Sequence, residues 1–258
     1  MLYESEYYGI VHMDDIIEHH GIKGQKWGIR RFQNPDGSLT EEGKKRYSTK
    51  DILKNAKTYN LDSWGKDPDH NILYVTGFSG SGKSTAAENL GDKNTDVVHL
   101  DIYIEPWMDS EETGIYECKA LNKFLDKKGV PYKKLRDGSF NDETGKPYNN
   151  KQWWKTIDQL QEGIEAFGKS QYNKKRRVVV EGVAMNDETM YEDKSFFKGK
   201  PLAIMKTGAI KSTYRAAKRD LGEDFRLSDI PKEISIAYRK RAIDRKQLSS
   251  LGKNAKRS

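Results

Sequence analysis

The stretch Asn71–Leu90, NILYVTGFSGSGKSTAAENL, decides the fold. Inside it, Gly77-Phe78-Ser79-Gly80-Ser81-Gly82-Lys83-Ser84 fits the pattern G-x-x-x-x-G-K-[ST]. An apolar run of strand length, Asn71–Thr76, precedes this segment, and Thr85–Leu90 reads as the first turns of a helix. Glycines let backbone N–H groups converge on phosphate oxygens, and a helix N-terminus adds partial positive charge. The stretch therefore predicts a strand, a phosphate-binding loop and a helix, in that order.

The same motif assigns roles to individual side chains. Lys83 is expected to reach the β- and γ-phosphates of ATP, and the Ser84 hydroxyl is expected to bind Mg²⁺. ATP and Mg²⁺ are thus the predicted cofactors. Contact with the nucleotide is predicted for eight residues, namely Gly77, Ser79, Gly80, Ser81, Gly82, Lys83, Ser84 and Thr85.

Apolar runs alternate with helical stretches beyond residue 70. Continuous apolar strands separated by helices indicate a parallel sheet covered on both faces, so we predict an α/β fold, and the loop at 77–84 makes the P-loop NTPase type the expected one. No fifth strand is evident. The predicted strands are Asn71–Thr76, Asp96–Leu100, Arg177–Glu181 and Pro201–Thr207, and the predicted helices are Lys83–Leu90, Glu117–Lys128, Lys151–Gly168, Ile210–Leu221 and Pro231–Leu251.

The composition narrows the classes of partner. The 258 residues carry a net charge of +7, which favours anionic partners such as nucleotides and leaves nucleic acid open, although a lysine-rich solvated surface gives the same balance. Cys118 is the only cysteine, so no intrachain disulfide can form and a reducing cytoplasm is expected. No apolar run approaches the ~20 residues of a membrane span, and the acidic N-terminus is unlike a secretory leader. A cytoplasmic protein without a membrane partner is therefore predicted.

The first 65 residues differ from the rest of the chain. Residues 1–20 are acidic, residues 21–57 are basic, and apolar periodicity is weak throughout. We interpret residues 1–65 as a small, partly ordered adaptor ahead of a domain at 66–258. Thr40 is predicted to start a helix, and Ser48 or Thr49 is predicted to cap a second one before 51–59.

Two carboxylates follow predicted strands, at the edge where the loop also lies. Asp101 closes an apolar strand, where it can align or deprotonate an acceptor hydroxyl; capping the next segment is the alternative. Glu181 ends a second apolar strand and precedes Gly182, a placement that suits an acid holding Mg²⁺; a structural carboxylate is the alternative. Carboxyl ends of parallel strands share one edge, so these groups are expected to face the loop.

A basic stretch near the C-terminus supplies candidate phosphate-binding cations. Arg215 and Arg219 are four residues apart, so on a helix they share one face and can point at one phosphate chain. We assign both arginines a catalytic role beside Asp101 and Lys83, in which they neutralise charge that develops on the transferred phosphoryl group. A solvated basic helix remains the alternative.

Residues 104–176 form a long segment rich in aromatic residues. We predict that it binds the acceptor, because aromatic rings can stack on a base or sugar. Phe124, Trp153 and Trp154 stand at helical positions and are expected in the core instead. The other aromatic residues considered are Trp107, Tyr116, Tyr132, Phe140 and Tyr148.

Four motifs together resemble the uridine-kinase-type branch of the P-loop kinases. They are Gly77–Thr85, Val98–Tyr103, Val178–Val183 and Arg215–Asp220, spread over Asn71–Leu221. The resemblance implies a nucleoside/nucleotide-kinase-like fold. It also implies that Asp101 serves the acceptor hydroxyl and that an arginine-containing lid, at 208–226 in this sequence, closes over ATP. Zeta-toxin-like kinases, which phosphorylate UDP-activated sugars, share the loop and the strand-end aspartate. The implied activity is transfer of the γ-phosphoryl group to a nucleoside, nucleotide or nucleotide-sugar.

A second resemblance concerns residues 19–40, which begin HHGIKGQKWGIRRFQ and continue through NPDGSLT. This segment is similar to one found near one end of tailed-phage structural proteins. It implies a phage or prophage source, attachment to a phage structural protein, and a location in the infected cell or the virion. The alternatives left open are a virion or assembly component that binds nucleotide and a kinase acting on nucleic acid.

Overall fold

A five-stranded sheet forms the centre of the computed structural model, which describes residues 2–5, 9–12, 32, 34, 39–104, 115–147, 150–183, 185, 194–208, 248–253, 255 and 256. Its strand order is β3-β7-β4-β6-β5, and β1 and β2 pair only with each other as a separate hairpin. The strands are β1 (Leu2–Ser5), β2 (Gly9–His12), β3 (Ala56–Tyr59), β4 (Ile72–Gly77), β5 (Thr95–His99), β6 (Arg177–Glu181) and β7 (Leu202–Met205).

Helices precede and connect these strands. The described α-helices are α1 (Glu41–Arg46), α2 (Thr49–Ile52), α3 (Lys83–Leu90), α4 (Asp101–Ile104), α5 (Lys119–Lys128) and α6 (Lys151–Asn173). Short 3-10 segments lie at Leu61–Ser63, Tyr132–Leu135 and Lys194–Phe197, and residues 248–253 are helical. Among the described helices, none combines the length and apolarity needed to cross a bilayer.

Strands β4 to β7 run parallel, whereas β3 joins the sheet antiparallel to β7. All six residues of β4 are buried, as expected for a central strand with neighbours on both sides. The molecule is thus an α/β protein with a mostly parallel sheet, an arrangement compatible with a Rossmann-like or a phosphate-binding-loop fold. The α/β prediction is confirmed at this level.

Apolar residues fill both faces of the sheet. Along β4, Ile72 and Tyr74 enter one core cluster while Leu73 and Val75 enter the other, because successive side chains of a strand point to opposite faces. The first cluster takes residues from α5 and α6, and the second takes residues from α3 together with Trp64. The predicted covering of both faces is confirmed.

The predicted helix at Lys151–Gly168 begins where expected and continues to Asn173. The Asn150 side chain accepts a hydrogen bond from the backbone N–H of Gln152 and so caps its start. At Gly168 an added Cβ would lie 2.5 Å from Cγ1 of Ile72, so the helix passes directly over the central strand. Part of the segment predicted to bind the acceptor therefore builds the core.

Most of the aromatic residues of that segment also pack in the core. Trp153 is buried, and Phe124 and Trp154 are partly buried against the same cluster, which confirms their predicted core position. Tyr132 is buried as well, whereas Tyr116 is 63% exposed. Several predicted features lie outside the described residues. They are Trp107, Tyr148, Arg215, Arg219 and the helix predicted at Ile210–Leu221. Nearly all of the predicted lid and of residues 19–40 also lie outside them.

The sequence shows no evident fifth strand, but the sheet contains one. The strand Ala56–Tyr59 pairs with Leu202–Met205 at the edge of the sheet, although it precedes the predicted domain boundary. Only Tyr59 in this strand is buried, so an edge strand of four residues leaves almost no alternating pattern in the sequence. The helix after Ser48 ends at Ile52, shorter than predicted.

The predicted starts of both N-terminal helices are confirmed. The Thr40 side chain accepts a hydrogen bond from the backbone N–H of Gly43. Ser48 and Asp51 form a reciprocal capping box at the second helix. Residues 39–64 also bind the main body, since the Leu39 N–H donates to Asn89 Oδ1 at 2.6 Å.

Two truncations test where the folded unit begins. Deleting residues 1–31 should change the free energy of unfolding by less than about 1 kcal/mol, because the hairpin there pairs with no other described strand. Deleting residues 1–65 should cost more than about 3 kcal/mol, since Leu53 and Trp64 fill the core beside the edge strand. Urea denaturation monitored by circular dichroism measures both. Equal stability of the two truncated proteins would exclude the edge strand from the folding unit.

Candidate functional site

The site lies where the parallel strands end. The register pairs Glu181 with Val75 and with His99, and it pairs Gly77 with Met205. Because these strands point the same way, the loop after β4, the residues after β5 and the end of β6 share one edge of the sheet. The predicted meeting of the loop with the strand-end carboxylates therefore follows from the topology.

The Gly77–Ser84 loop turns from β4 into α3 with glycine at its left-handed positions. Gly80 has a φ of 72° and Gly82 a φ of 85°, a backbone region that glycine enters without strain. A Cβ on Gly77 would lie 2.8 Å from Ser81 Oγ and 2.9 Å from the Met205 carbonyl oxygen. The glycines are therefore needed for the tight path of this loop.

Two polar side chains of this loop are buried. Lys83 is 6% exposed and Ser81 is 4% exposed. Ser81 Oγ has no hydrogen-bond partner, and no ion pair joins Lys83 to a carboxylate, within the described part of the chain. A buried hydroxyl without a partner and a largely buried lysine without a counter-ion both cost free energy. A ligand with anionic oxygens would supply partners for both groups.

Asp101 is 6% exposed and begins helix α4. Its Oδ2 accepts a hydrogen bond from the backbone N–H of Val183 at 2.9 Å. A Cβ on Gly182 would lie 2.5 Å from Asp101 Oδ1, so only glycine permits the close approach of these two segments. The carbonyl of Gly182 accepts a hydrogen bond from Thr76 Oγ1 at 2.9 Å, which connects the loop strand to the position of Asp101.

Glu181 is 2% exposed, and its two carboxylate oxygens differ in their hydrogen-bond partners. Oε1 lies 2.6 Å from Nδ1 of His99. The opposite ring nitrogen of His99, Nε2, lies 2.5 Å from Oε1 of Glu88 on helix α3. Oε2 of Glu181 is buried and has no hydrogen-bond partner among the described residues.

His99 carries positive charge between these two carboxylates. Burial by itself lowers the pKa of an imidazole, but the hydrogen bonds and charges of Glu181 and Glu88 outweigh it, and the pKa of His99 rises to about 9. Both ring nitrogens then donate. At neutral pH the cluster is therefore an imidazolium flanked by two carboxylates.

Sequence reasoning missed His99 and Glu88. The available signal was a histidine inside the apolar run Val97–Leu100, directly before Asp101. The partner Glu88 lies eleven residues earlier on a helix, and Glu181 lies 82 residues later on a different strand. Only the folded sheet brings the three together.

The donor set fits a divalent cation bound mainly through nucleotide phosphates. Magnesium prefers oxygen ligands and commonly takes only one or two from protein. The Ser84 hydroxyl and the unmatched Oε2 of Glu181 are such oxygens. No group of three or more histidine, cysteine, aspartate or glutamate side chains within the described ranges is arranged to hold a metal ion without further ligands.

A separate cleft of about 800 Å³ lies near the amino-terminal ends of β4 and β7. Its lining includes Lys50, Asn60, Lys66 and His70. It contains none of the loop residues, Asp101 or Glu181. We place the candidate site at the carboxyl edge because the glycine loop, Asp101 and Glu181 meet there, and because Ser81 Oγ and Glu181 Oε2 are buried there without a hydrogen-bond partner in the described chain.

Comparison of this chain with protein-family models, with curated proteins and with solved structures finds no match. The geometry of the site therefore carries the functional argument alone.

The charge on His99 predicts how stability depends on pH. Because the pKa rises from its usual 6.5 to about 9 on folding, this group stabilises the fold fully below about pH 6.5 and loses that contribution as the pH rises through 9. We expect the free energy of unfolding to fall by on the order of 2–3 kcal/mol between pH 6.5 and 10. Urea denaturation across this range, beside His99→Gln, measures it. A slope equal in both proteins would contradict the assignment.

Proposed function

We propose that this protein is an ATP-dependent kinase that transfers the γ-phosphoryl group to a hydroxyl of a nucleoside, nucleotide or nucleotide-sugar. The observation that carries the proposal is the buried pair of Lys83 and Ser81 Oγ, which have no protein partner in the described chain and lie in a glycine loop at a helix N-terminus. Phosphate oxygens satisfy an ammonium, a hydroxyl and converging backbone N–H groups at once. A neutral ligand would leave the ammonium unpaired.

The strand order supports a P-loop assignment within the α/β class. The strand that carries the loop, β4, lies between β6 and β7, and β5 lies beyond β6. The chain thus leaves β4 toward one side of the sheet and later crosses to β7 on the other side. Ligands of open α/β sheets bind at such a reversal, outside the carboxyl ends of the strands.

In this function Lys83 binds the β- and γ-phosphates, and the Ser84 hydroxyl with Glu181 holds Mg²⁺. The ion, when bound, offsets negative charge that develops on the transferred group. Residues 77–85 orient the phosphate chain through backbone N–H groups. Arg215 and Arg219, which lie outside the described residues, remain predicted cations of a lid.

Asp101 is the residue that acts on the acceptor hydroxyl. Its carboxylate is fixed by the Val183 N–H and by contact with Gly182, so it is held in one position before substrate binds. A carboxylate held this way accepts the proton of the attacking hydroxyl while the phosphoryl group leaves ATP for that oxygen. The products are ADP and a phosphate ester.

A nucleic acid is the second candidate acceptor, favoured by the net charge of +7. The two classes differ in their response to salt, because binding to a nucleic-acid backbone releases counterions and weakens steeply as salt rises. Transfer to a small acceptor should change little over the same range.

The first test is phosphoryl transfer from γ-labelled ATP to nucleosides, nucleotides, UDP-sugars, DNA and RNA. Lys83→Ala should weaken ATP binding at least about tenfold, because it removes a charge-assisted contact. Asp101→Asn should keep ATP affinity within about threefold and lower transfer by about 10²–10⁴, because it removes the base. Full transfer by the asparagine variant would refute the role of Asp101. Equal ATP affinity of Lys83→Ala and the unchanged protein would refute the assignment of the phosphate-binding loop.

Gly182→Ala tests whether the position of Asp101 matters without replacing Asp101 itself. The new Cβ would meet Asp101 Oδ1, so the carboxylate must move. Such a displacement should lower transfer by on the order of 10²-fold while ATP affinity stays within about threefold. Calorimetric ATP titration beside the transfer assay separates the two effects. Unchanged transfer would show that the close approach is not required.

A further inference from the structure

We propose that His99 is a positioning residue that holds Glu181 so that its Oε2 faces Mg²⁺·ATP. This deepens the proposed function and rests on it. Three observations support this role. His99 contacts both Glu181 and Glu88, the two carboxylate oxygens of Glu181 differ in their hydrogen bonding, and Glu88 lies on helix α3.

The bridge spans two elements of the site. His99 ends β5, its side chain is 6% exposed, and its ring nitrogens reach 2.6 Å to Glu181 Oε1 and 2.5 Å to Glu88 Oε1. Glu88 lies on α3, five residues after Lys83. One imidazole therefore connects the end of β6 to the helix that begins at the candidate phosphate loop.

This contact selects which oxygen of Glu181 is available. A glutamate carboxylate can rotate, but an oxygen held by a buried imidazole keeps the whole group in one orientation. Oε1 is then occupied, and Oε2 is buried with no hydrogen-bond partner in the described chain. A buried carboxylate oxygen without a partner is costly, so an ion or a donor that reaches it is stabilised.

The partner with the matching chemistry is Mg²⁺ or a water bound to it. Magnesium selects hard oxygen ligands and dehydrates reluctantly, so a single oriented carboxylate oxygen is a common protein contribution. Groups that orient such ligands change metal affinity by about 10–100-fold when they are removed. His99 would act in this way, through Glu181, without touching the nucleotide.

A purely structural brace makes a different prediction. If His99 only ties β5 to α3, its contact with Glu88 matters as much as its contact with Glu181. Replacement by glutamine keeps a donor near the position of Nε2 and loses the one at Nδ1. Replacement by asparagine keeps a donor near Nδ1 and loses the one at Nε2.

The test measures ATP affinity by calorimetry with and without Mg²⁺ on the full chain. His99→Gln should reduce the strengthening that Mg²⁺ gives by at least about tenfold, and His99→Asn should keep it within about threefold. His70→Gln is the matched control, because His70 also pairs with a carboxylate, Asp67, but lies at the opposite end of β4. It should leave the Mg²⁺ response unchanged.

Equal effects of the two His99 variants, or no effect of either, would overturn the proposal. Glu181→Gln gives a second measurement if a histidine variant fails to fold. It should reduce the strengthening of ATP binding by Mg²⁺ by a factor similar to that for His99→Gln. An unreduced strengthening in this variant would also overturn the proposal. ATP binding that depends on Lys83 but not on His99 or Glu181 refutes only the positioning role. Absence of Lys83-dependent ATP binding refutes the kinase proposal and this one together.

Discussion

The in-register parallel pairing of β4 with β6 and β7 is the constraint on which the rest of the structure depends. This pairing buries all six residues of β4 and divides its side chains between two cores. It also fixes direction, because parallel strands end together at one edge. Gly77, His99 and Glu181 are neighbours for that reason, although 104 positions separate the first from the last. The parallel β5–β6 pairing does the same for His99 and Glu181, because a shift of one residue in that register would move Glu181 away from His99.

Buried charged groups at this edge are held in place by contacts within the protein. The imidazolium of His99 offsets the adjacent carboxylates of Glu181 and Glu88, and the Val183 N–H holds Asp101. Lys83 and Ser81 Oγ remain without partners among the described residues. The carboxylates of Asp101 and Glu181 are thus held by protein contacts, whereas Lys83 and Ser81 Oγ are the loop groups to which the proposed function assigns an anionic ligand. This asymmetry is the physical basis of the proposed function.

The edge strand alters the division of the chain into modules. Ala56–Tyr59 extends the sheet, and Asn60 Nδ2 donates to the carbonyl of Ala255 at 2.7 Å, so the residue after β3 contacts the C-terminal part of the chain. Residues 39–64 therefore belong physically to the α/β body. The weak apolar pattern there reflects an edge position, where only one side of a strand is covered.

Local sequence by itself determined the elements with strong local signals. The glycine pattern of 77–84 demands a tight loop before a helix, the apolar run of 177–181 predicts its strand to the residue, and Thr40 and Ser48 cap helices as expected. Tertiary structure alone decided the edge strand, the path of α6 across β4, and the triad of His99, Glu88 and Glu181. Those features depend on contacts between residues far apart in the chain, which neither periodicity nor motif spacing encodes, because a side chain's partner is set by strand order and register rather than by its neighbours in sequence.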